Sequence, residues 1–154
     1  MIQRKQTVFL LLGIIVAVIC LCMPVGFFTA QGMAPESVMT NLGITATVGD
    51  TTTLTVTPLI LLLPLSIVVA LVTIFLYKNR RQQMRLCIFN VFIILLWYGC
   101  CAYYAFYAKD GVEGSVFRPA FAVCLPLVSL IFYVLAYRGV KADERLVRSM
   151  DRIR

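Results

Sequence analysis

Residues 55–77 read TVTPLILLLPLSIVVALVTIFLY, an apolar run without a single Asp, Glu, Lys or Arg. About 20 apolar residues, rising about 1.5 Å each, cross a hydrocarbon core about 30 Å thick, so the run reads as a membrane-spanning helix. Three further uncharged runs, 7–28, 86–108 and 119–137, read the same way. The fold class that follows is an all-α membrane protein. Its 154 residues form a single domain, an antiparallel bundle of four transmembrane helices. Apolar residues are 61% of the chain and charged residues 14%, far from the balance of a soluble domain.

The charges that remain orient the bundle. Arg4 and Lys5 precede the first run; Lys78, Arg80, Arg81 and Arg85 join the second to the third; Arg138, Lys141, Arg145, Arg148, Arg152 and Arg154 follow the fourth. Only Lys109 and Arg118 fall on the other side, out of 14 basic residues in all. Basic residues resist translocation, so both termini are expected in the cytoplasm, with 138–154 as a cytoplasmic tail. The net charge of +7 is accounted for by this placement, and no groove-reading or base-stacking motif points to nucleic acid. The first run, 22 residues long, exceeds a signal-peptide core of about 7–15 residues and is expected to be retained.

The outer loop 29–57 is the segment with room to fold outside the bilayer. Pro35–Gly43 reads as a short helix, with Pro35 in the first turn and Gly43 as its stop. Ile44–Val56 alternates as a strand pair. A three-residue Gly49–Thr51 turn would set Val48 against Thr52, Ala46 against Leu54 and Ile44 against Val56, with the apolar side chains on one face. A two-residue turn setting Ala46 against Thr53, or a helical continuation of the second span from Thr51, are the alternatives. Pro64 and Pro126 are expected to kink their helices. The stretches Leu63–Ser66 and Leu125–Ser129 look alike, either as a faint repeat or as a bias of outer helix ends.

In the tail, Leu146, Val147, Met150 and Ile153 follow helical spacing and Glu144 stands four residues before Arg148. An amphipathic C-terminal helix is expected along the inner surface, with Lys141, Arg145, Arg148, Arg152 and Arg154 toward anionic inner-leaflet lipids. Docking onto a cytoplasmic partner is the alternative.

The segments Met1–Thr7, Arg85–Asn90 and Lys141–Arg154 together resemble a family of small four-span inner-membrane proteins of Bacteroides-type bacteria, a domain of unknown function. The resemblance covers nearly the whole chain and implies topology, with no activity or site residue attached. The order of parts is also similar to claudin-like four-span proteins, without the paired Trp and Cys of their first loop.

Residues for chemistry are few. The chain has no His, which removes the usual general base and the commonest metal ligand. Its acidic residues form no spaced metal or acid–base pair, and the glycines form no phosphate loop. Five cysteines, Cys20, Cys22, Cys100, Cys101 and Cys124, fall in a band about 8–12 Å below the outer surface. They read either as a thiol-redox or soft-metal site or as small packing residues; a C-x-x-C pair is absent, and apolar burial makes poor thiolates. Asn90, in an otherwise apolar helix, is expected to hydrogen-bond to a neighbouring helix. Trp97 is too deep for an interfacial anchor and should face the bundle, while Tyr103, Tyr104 and Tyr107 fit an outer aromatic belt.

Function, on this reading, is a non-catalytic accessory or scaffold subunit of an envelope assembly, without cofactor or metal. It would contact other membrane proteins or copies of itself. The alternatives are a thiol-redox protein on the cysteine band and, more weakly, a small-molecule carrier, which charge-free spans disfavour.

Overall fold

The computed structural model describes residues 3–30, 37–46, 52–55, 57–76, 79–111 and 115–151. Among the described residues four helices carry the chain: α1 (Gln3–Cys22), α2 (Thr57–Phe75), α3 (Arg80–Gly111) and α4 (Leu125–Asp151). Five short strands sit between them: β1 (Gly26–Ala30), β2 (Ser37–Met39), β3 (Gly43–Ala46), β4 (Thr52–Thr55) and β5 (Ser115–Pro119). Each helix packs on two others, closing a ring in the order α1, α2, α3, α4. The outward positions are largely apolar: Leu61, Phe75, Phe92 and Phe106 are each more than 60% exposed. An apolar exterior on helices of this length is what a lipid environment accepts and water does not. Three helical stretches, Pro58–Phe75, Arg80–Phe106 and Phe121–Val147, are long and apolar enough to cross a membrane. The apolar part of α1, Gln6–Cys22, is shorter.

The first run therefore does not stay helical to Phe28. Pro24 lies two residues past the end of α1, where its missing N–H cannot continue the helix. From Gly26 the chain is a strand whose burial alternates, Gly26 and Phe28 inward, Phe27 and Thr29 half-exposed. The fourth run is likewise shared. Its first residue, Pro119, ends β5, a 3₁₀ turn covers Phe121–Cys124, and α4 starts at Leu125. Pro126 thus occupies the first turn of α4, where it needs no hydrogen bond, and is not the interior kink expected of it. Pro64 does lie inside α2.

The strands form one antiparallel sheet in the order β4-β3-β2-β1-β5, so the fold is helical with a five-stranded sheet rather than all-α with a lone hairpin. Because β1 leaves α1, β4 leads into α2, and β5 joins α3 to α4, the sheet closes one end of the ring. Two strands alone are marginal in water, and the added partners solve that. Phe28 and Phe117 face each other across β1 and β5 with ring centroids 5.0 Å apart. Val25 extends the ladder on both sides: its N–H donates to the Met39 carbonyl at 2.8 Å, and its own carbonyl accepts from Ala120 at 2.9 Å.

The expected helix over Pro35–Gly43 is overturned. Ser37–Met39 is a strand bonded to β1 on one side and β3 on the other. Thr40–Gly43 is the tight turn that follows, closed by Thr40 N–H donating to the Gly43 carbonyl at 2.9 Å. Buried Asn41 in this turn donates to the Cys20 carbonyl at 2.8 Å. That carbonyl lies in the last turn of α1, where it also accepts from the Met23 N–H at 3.3 Å.

β3 and β4 form the expected hairpin in a register that neither turn length foresaw. Gly43 pairs with Thr55, Ile44 with Leu54 and Thr45 with Thr52, with a bulge between Ile44 and Thr45. β2 is the reason: it holds Ile44 opposite Met39, both buried, so the face of β3 is fixed from its other side. Val48, Val56 and the Gly49–Thr51 turn lie outside the described residues. The helical continuation of α2 back to Thr51 is also excluded, since Thr52–Thr55 is β4.

The C-terminal segment is not a separate helix. It continues α4 through Asp151, an element about 40 Å long.

Candidate functional site

Buried polar side chains from α2, α3 and α4 gather in one layer across the ring, and α1 adds a backbone carbonyl. Ser66 of α2 donates its hydroxyl to Asn90 Oδ1 of α3 at 2.6 Å, and Asn90 Nδ2 returns a bond to the Ser66 carbonyl at 3.1 Å. Ser129 of α4 donates to the Gly13 carbonyl of α1 at 3.1 Å. Tyr133, one turn further along α4, is fully buried with its ring against Gly13. Its hydroxyl lies beside the Ser66–Asn90 pair without completing a hydrogen bond. In an apolar surround each such group favours a partner on another helix, and small residues let the backbones come close enough to supply one. Gly13, Ala17, Ser66 and Ala70, the small residues four apart on α1 and α2, are all buried. Chemically the layer is a brace. The Ser66 hydroxyl donates its hydrogen bond to Asn90, and among the described residues of this layer there is no His, Asp or Glu to activate it.

The second polar group lies at the end opposite the sheet. Gln6 Nε2 of α1 donates to the buried Asp143 carboxylate of α4 in a short contact, and Arg80 Nη1 of α3 donates to the Asp143 carbonyl at 3.2 Å. Gly139 gives Gln6 its room: a Cβ there would be 2.9 Å from Gln6 Cγ. Arg81 Nε and Glu144 Oε1 stand 3.7 Å apart across the same two helices. Of the basic residues assigned to lipid contact, Lys141 and Arg145 are exposed, and Lys141 Nζ lies 5.8 Å from the centre of the Tyr137 ring. Arg148 is in α4, its side chain beyond the described atoms; Arg152 and Arg154 lie outside the described residues.

The five cysteines do not form one cluster. Cys20 and Cys101 are buried in the same apolar core with Trp97, Met39, Leu59 and Leu63, and Cys100 packs against it. Cys20 Sγ approaches the Ala122 carbonyl at 3.5 Å. Cys22 and Cys124 are exposed on the outer surface of the ring. The sixth, Cys87, is buried in the other core cluster with Tyr133 and Leu10. All six thiols are free, and among the described residues no three His, Cys, Asp or Glu side chains are grouped to hold a metal. Tyr103 is exposed; Tyr104 packs on the core and makes an edge contact with it at 5.6 Å.

Three members of these groups carry no signal in the sequence: Gln6, Asn41 and Tyr133. Ser129 and Ser66 had one in common, since each closes a Leu-Pro-Leu stretch of the two look-alike segments.

A helical protein with three membrane-length apolar helices, sealed at one end by a small sheet, is the class these observations define. Over residues 2–153 the chain matches the family described as "Domain of unknown function (DUF4293)", and it belongs to that family. No curated protein and no solved structure matches it.

Proposed function

We propose that the chain is a four-span protein of a bacterial inner membrane with both termini in the cytoplasm. It acts by contact rather than catalysis, as an accessory or scaffold subunit of an envelope assembly. The observation that carries this reading is the polar layer: Ser66 bonds to Asn90, and Ser129 to the Gly13 carbonyl, so these groups tie helices together in pairs instead of facing a substrate path. α1 joins the bundle as the fourth span, its shorter apolar stretch lengthened by Gln3–Lys5 at one end and β1 at the other. The sheet supports a binding role. Among the described residues its outer strands, β4 and β5, each have one edge without a partner strand, and an extended segment of another protein can add to such an edge. Leu42, Val116 and Phe121, exposed at that end, add apolar surface.

Crosslinking in native membranes followed by pull-down in mild detergent tests the reading. A stoichiometric membrane partner, or a second copy, is the expected outcome. Substrate turnover or a transport current from the pure protein in liposomes would refute it, as would a strictly monomeric, partnerless state.

The thiol-redox reading retains one supporting observation, the placement of Cys20 and Cys101 in a single core with Cys100 against it. Rapid alkylation of these native thiols from outside the cell would favour it, since a redox thiol must be reachable.

A further inference from the structure

Between α3 and α4, at the end opposite the sheet, lies a groove of about 280 Å³ lined by Arg81, Met84, Arg85, Ile88, Tyr137 and Glu144. Arg81, Arg85 and Ile88 follow one another at helical spacing on one face of α3, so the groove passes from charged to apolar within about 10 Å. Ile88 is 43% exposed, and Phe92 one turn deeper is 64% exposed, so an open apolar track continues along the helix. Tyr137 forms the opposite wall, with Lys141 beside its ring.

The charges are unevenly committed. Arg81 pairs with Glu144. Arg85 makes no hydrogen bond or ion pair with any described residue, and Lys141 has the Tyr137 ring as its recorded contact. Arg85 is thus left uncommitted in a site whose one carboxylate is already paired, with Lys141 at the rim, over the Tyr137 wall. A guanidinium presents its N–H groups as a fork that matches two phosphate oxygens. Glu144 can accept from a hydroxyl. Ile88 and Phe92 offer a bed for a hydrocarbon chain. Free phosphate would use the first of these features alone.

We infer that this groove seats one anionic glycerophospholipid of the phosphatidylglycerol type. Its phosphate lies at Arg85 and Lys141, its headgroup hydroxyl at Glu144, and an acyl chain along Ile88 and Phe92. The inference rests on the proposed orientation, which puts this end of α3 and α4 at the cytoplasmic leaflet. It adds to that reading a discrete site, separate from the diffuse attraction of the basic tail.

Native mass spectrometry of the full chain in detergent tests it, with phosphatidylglycerol, phosphatidylethanolamine, phosphatidylcholine or inorganic phosphate added in parallel. One retained phosphatidylglycerol per chain is expected, with the two zwitterionic lipids at least about fivefold weaker. Arg85→Gln should weaken phosphatidylglycerol about fivefold and Arg85→Lys less, whereas Arg138→Gln, an equal charge loss on exposed α4 outside the groove lining, should stay within about twofold. Equal retention of phosphatidylcholine or phosphatidylethanolamine would overturn the proposal. So would equal losses from Arg85→Gln and Arg138→Gln, which mark diffuse charge, or full displacement by inorganic phosphate, which marks a free-anion site. The headgroup comparison on the unaltered protein decides the matter even if a variant does not fold. Orientation is read separately, by a reporter fused at Gln82, because binding in detergent does not depend on sidedness.

Discussion

Gly13 and Tyr133 meet so closely that a Cβ on the glycine would lie 2.8 Å from Tyr133 Cε1. The ring is fully buried and cannot retreat without opening the α1–α4 contact. Gly13→Val is therefore expected to lower stability by about 1–3 kcal/mol, the usual cost of overpacking. Pairing it with Tyr133→Leu should recover part of the loss. Thermal melting in detergent, followed by Trp97 as the sole and buried tryptophan, measures both. Additive losses in the double variant would show that the two residues do not clash.

Tyr133→Phe and Asn90→Ala should part company although both remove polar atoms from one layer. The Tyr133 hydroxyl lies beside Ser66 and Asn90 without a well-formed hydrogen bond to either, so its removal is expected to leave stability within about 0.5 kcal/mol of the parent or to raise it. Asn90→Ala breaks the reciprocal pair with Ser66 and should cost about 1 kcal/mol. A double-mutant cycle with Ser66→Ala gives the coupling directly. A coupling near zero, or a large loss from Tyr133→Phe, would contradict this account of the layer.

Cysteine replacement should separate along the line of burial. Cys22→Ala and Cys124→Ala, on exposed side chains, are expected within about 0.5 kcal/mol of the parent. Cys20→Ala and Cys101→Ala remove atoms from a packed core and should cost about 1 kcal/mol each, with the fold retained. A bound metal in the purified protein, or a disulfide trapped in native membranes, would be incompatible with a packing role.

Topology is open to direct assay. Reporter fusions at Met1, Gln82 and Arg154 should report cytoplasm, and a fusion at Gly111 the periplasm, because basic residues concentrate at the first three. Periplasmic activity at Gln82 would reverse the assignment.

The helical part of the fold was legible because an uncharged run of spanning length has few other readings, as in α2 and α3. Legibility failed where apolar residues serve a sheet instead of a bilayer. Hydropathy does not distinguish Gly26-Phe27-Phe28 at the end of one run from helix, although Pro24 marked the break. Three residues, Ser37–Met39, are too few to show a period of two, and the register of β3 depends on β2, a strand the local pattern did not reveal. In the candidate site, depth was readable and direction only partly so. Cys20 and Cys22 are two helical steps, about 200°, apart and cannot both face the core; the structure buries the first and exposes the second. The partner of Asn90 depends on how α2 is rotated against α3, which no single helix encodes.

The pairing of β1 with β5 has a consequence for how the chain is made. Thr29 and Val116, opposite each other in that ladder, are 87 residues apart. Most of the protein must therefore be synthesised before β1 can receive its second neighbour. Until then one edge of β1, with Phe27 and Phe28, has no strand to cover it. Local pairings such as β2 with β3 can close early, while this one carries the high sequence separation that slows folding. A chain stalled or cut before Ser115 would hold its first three helices with the sheet end unsealed, presenting a sticky edge to quality-control proteases and to other nascent chains.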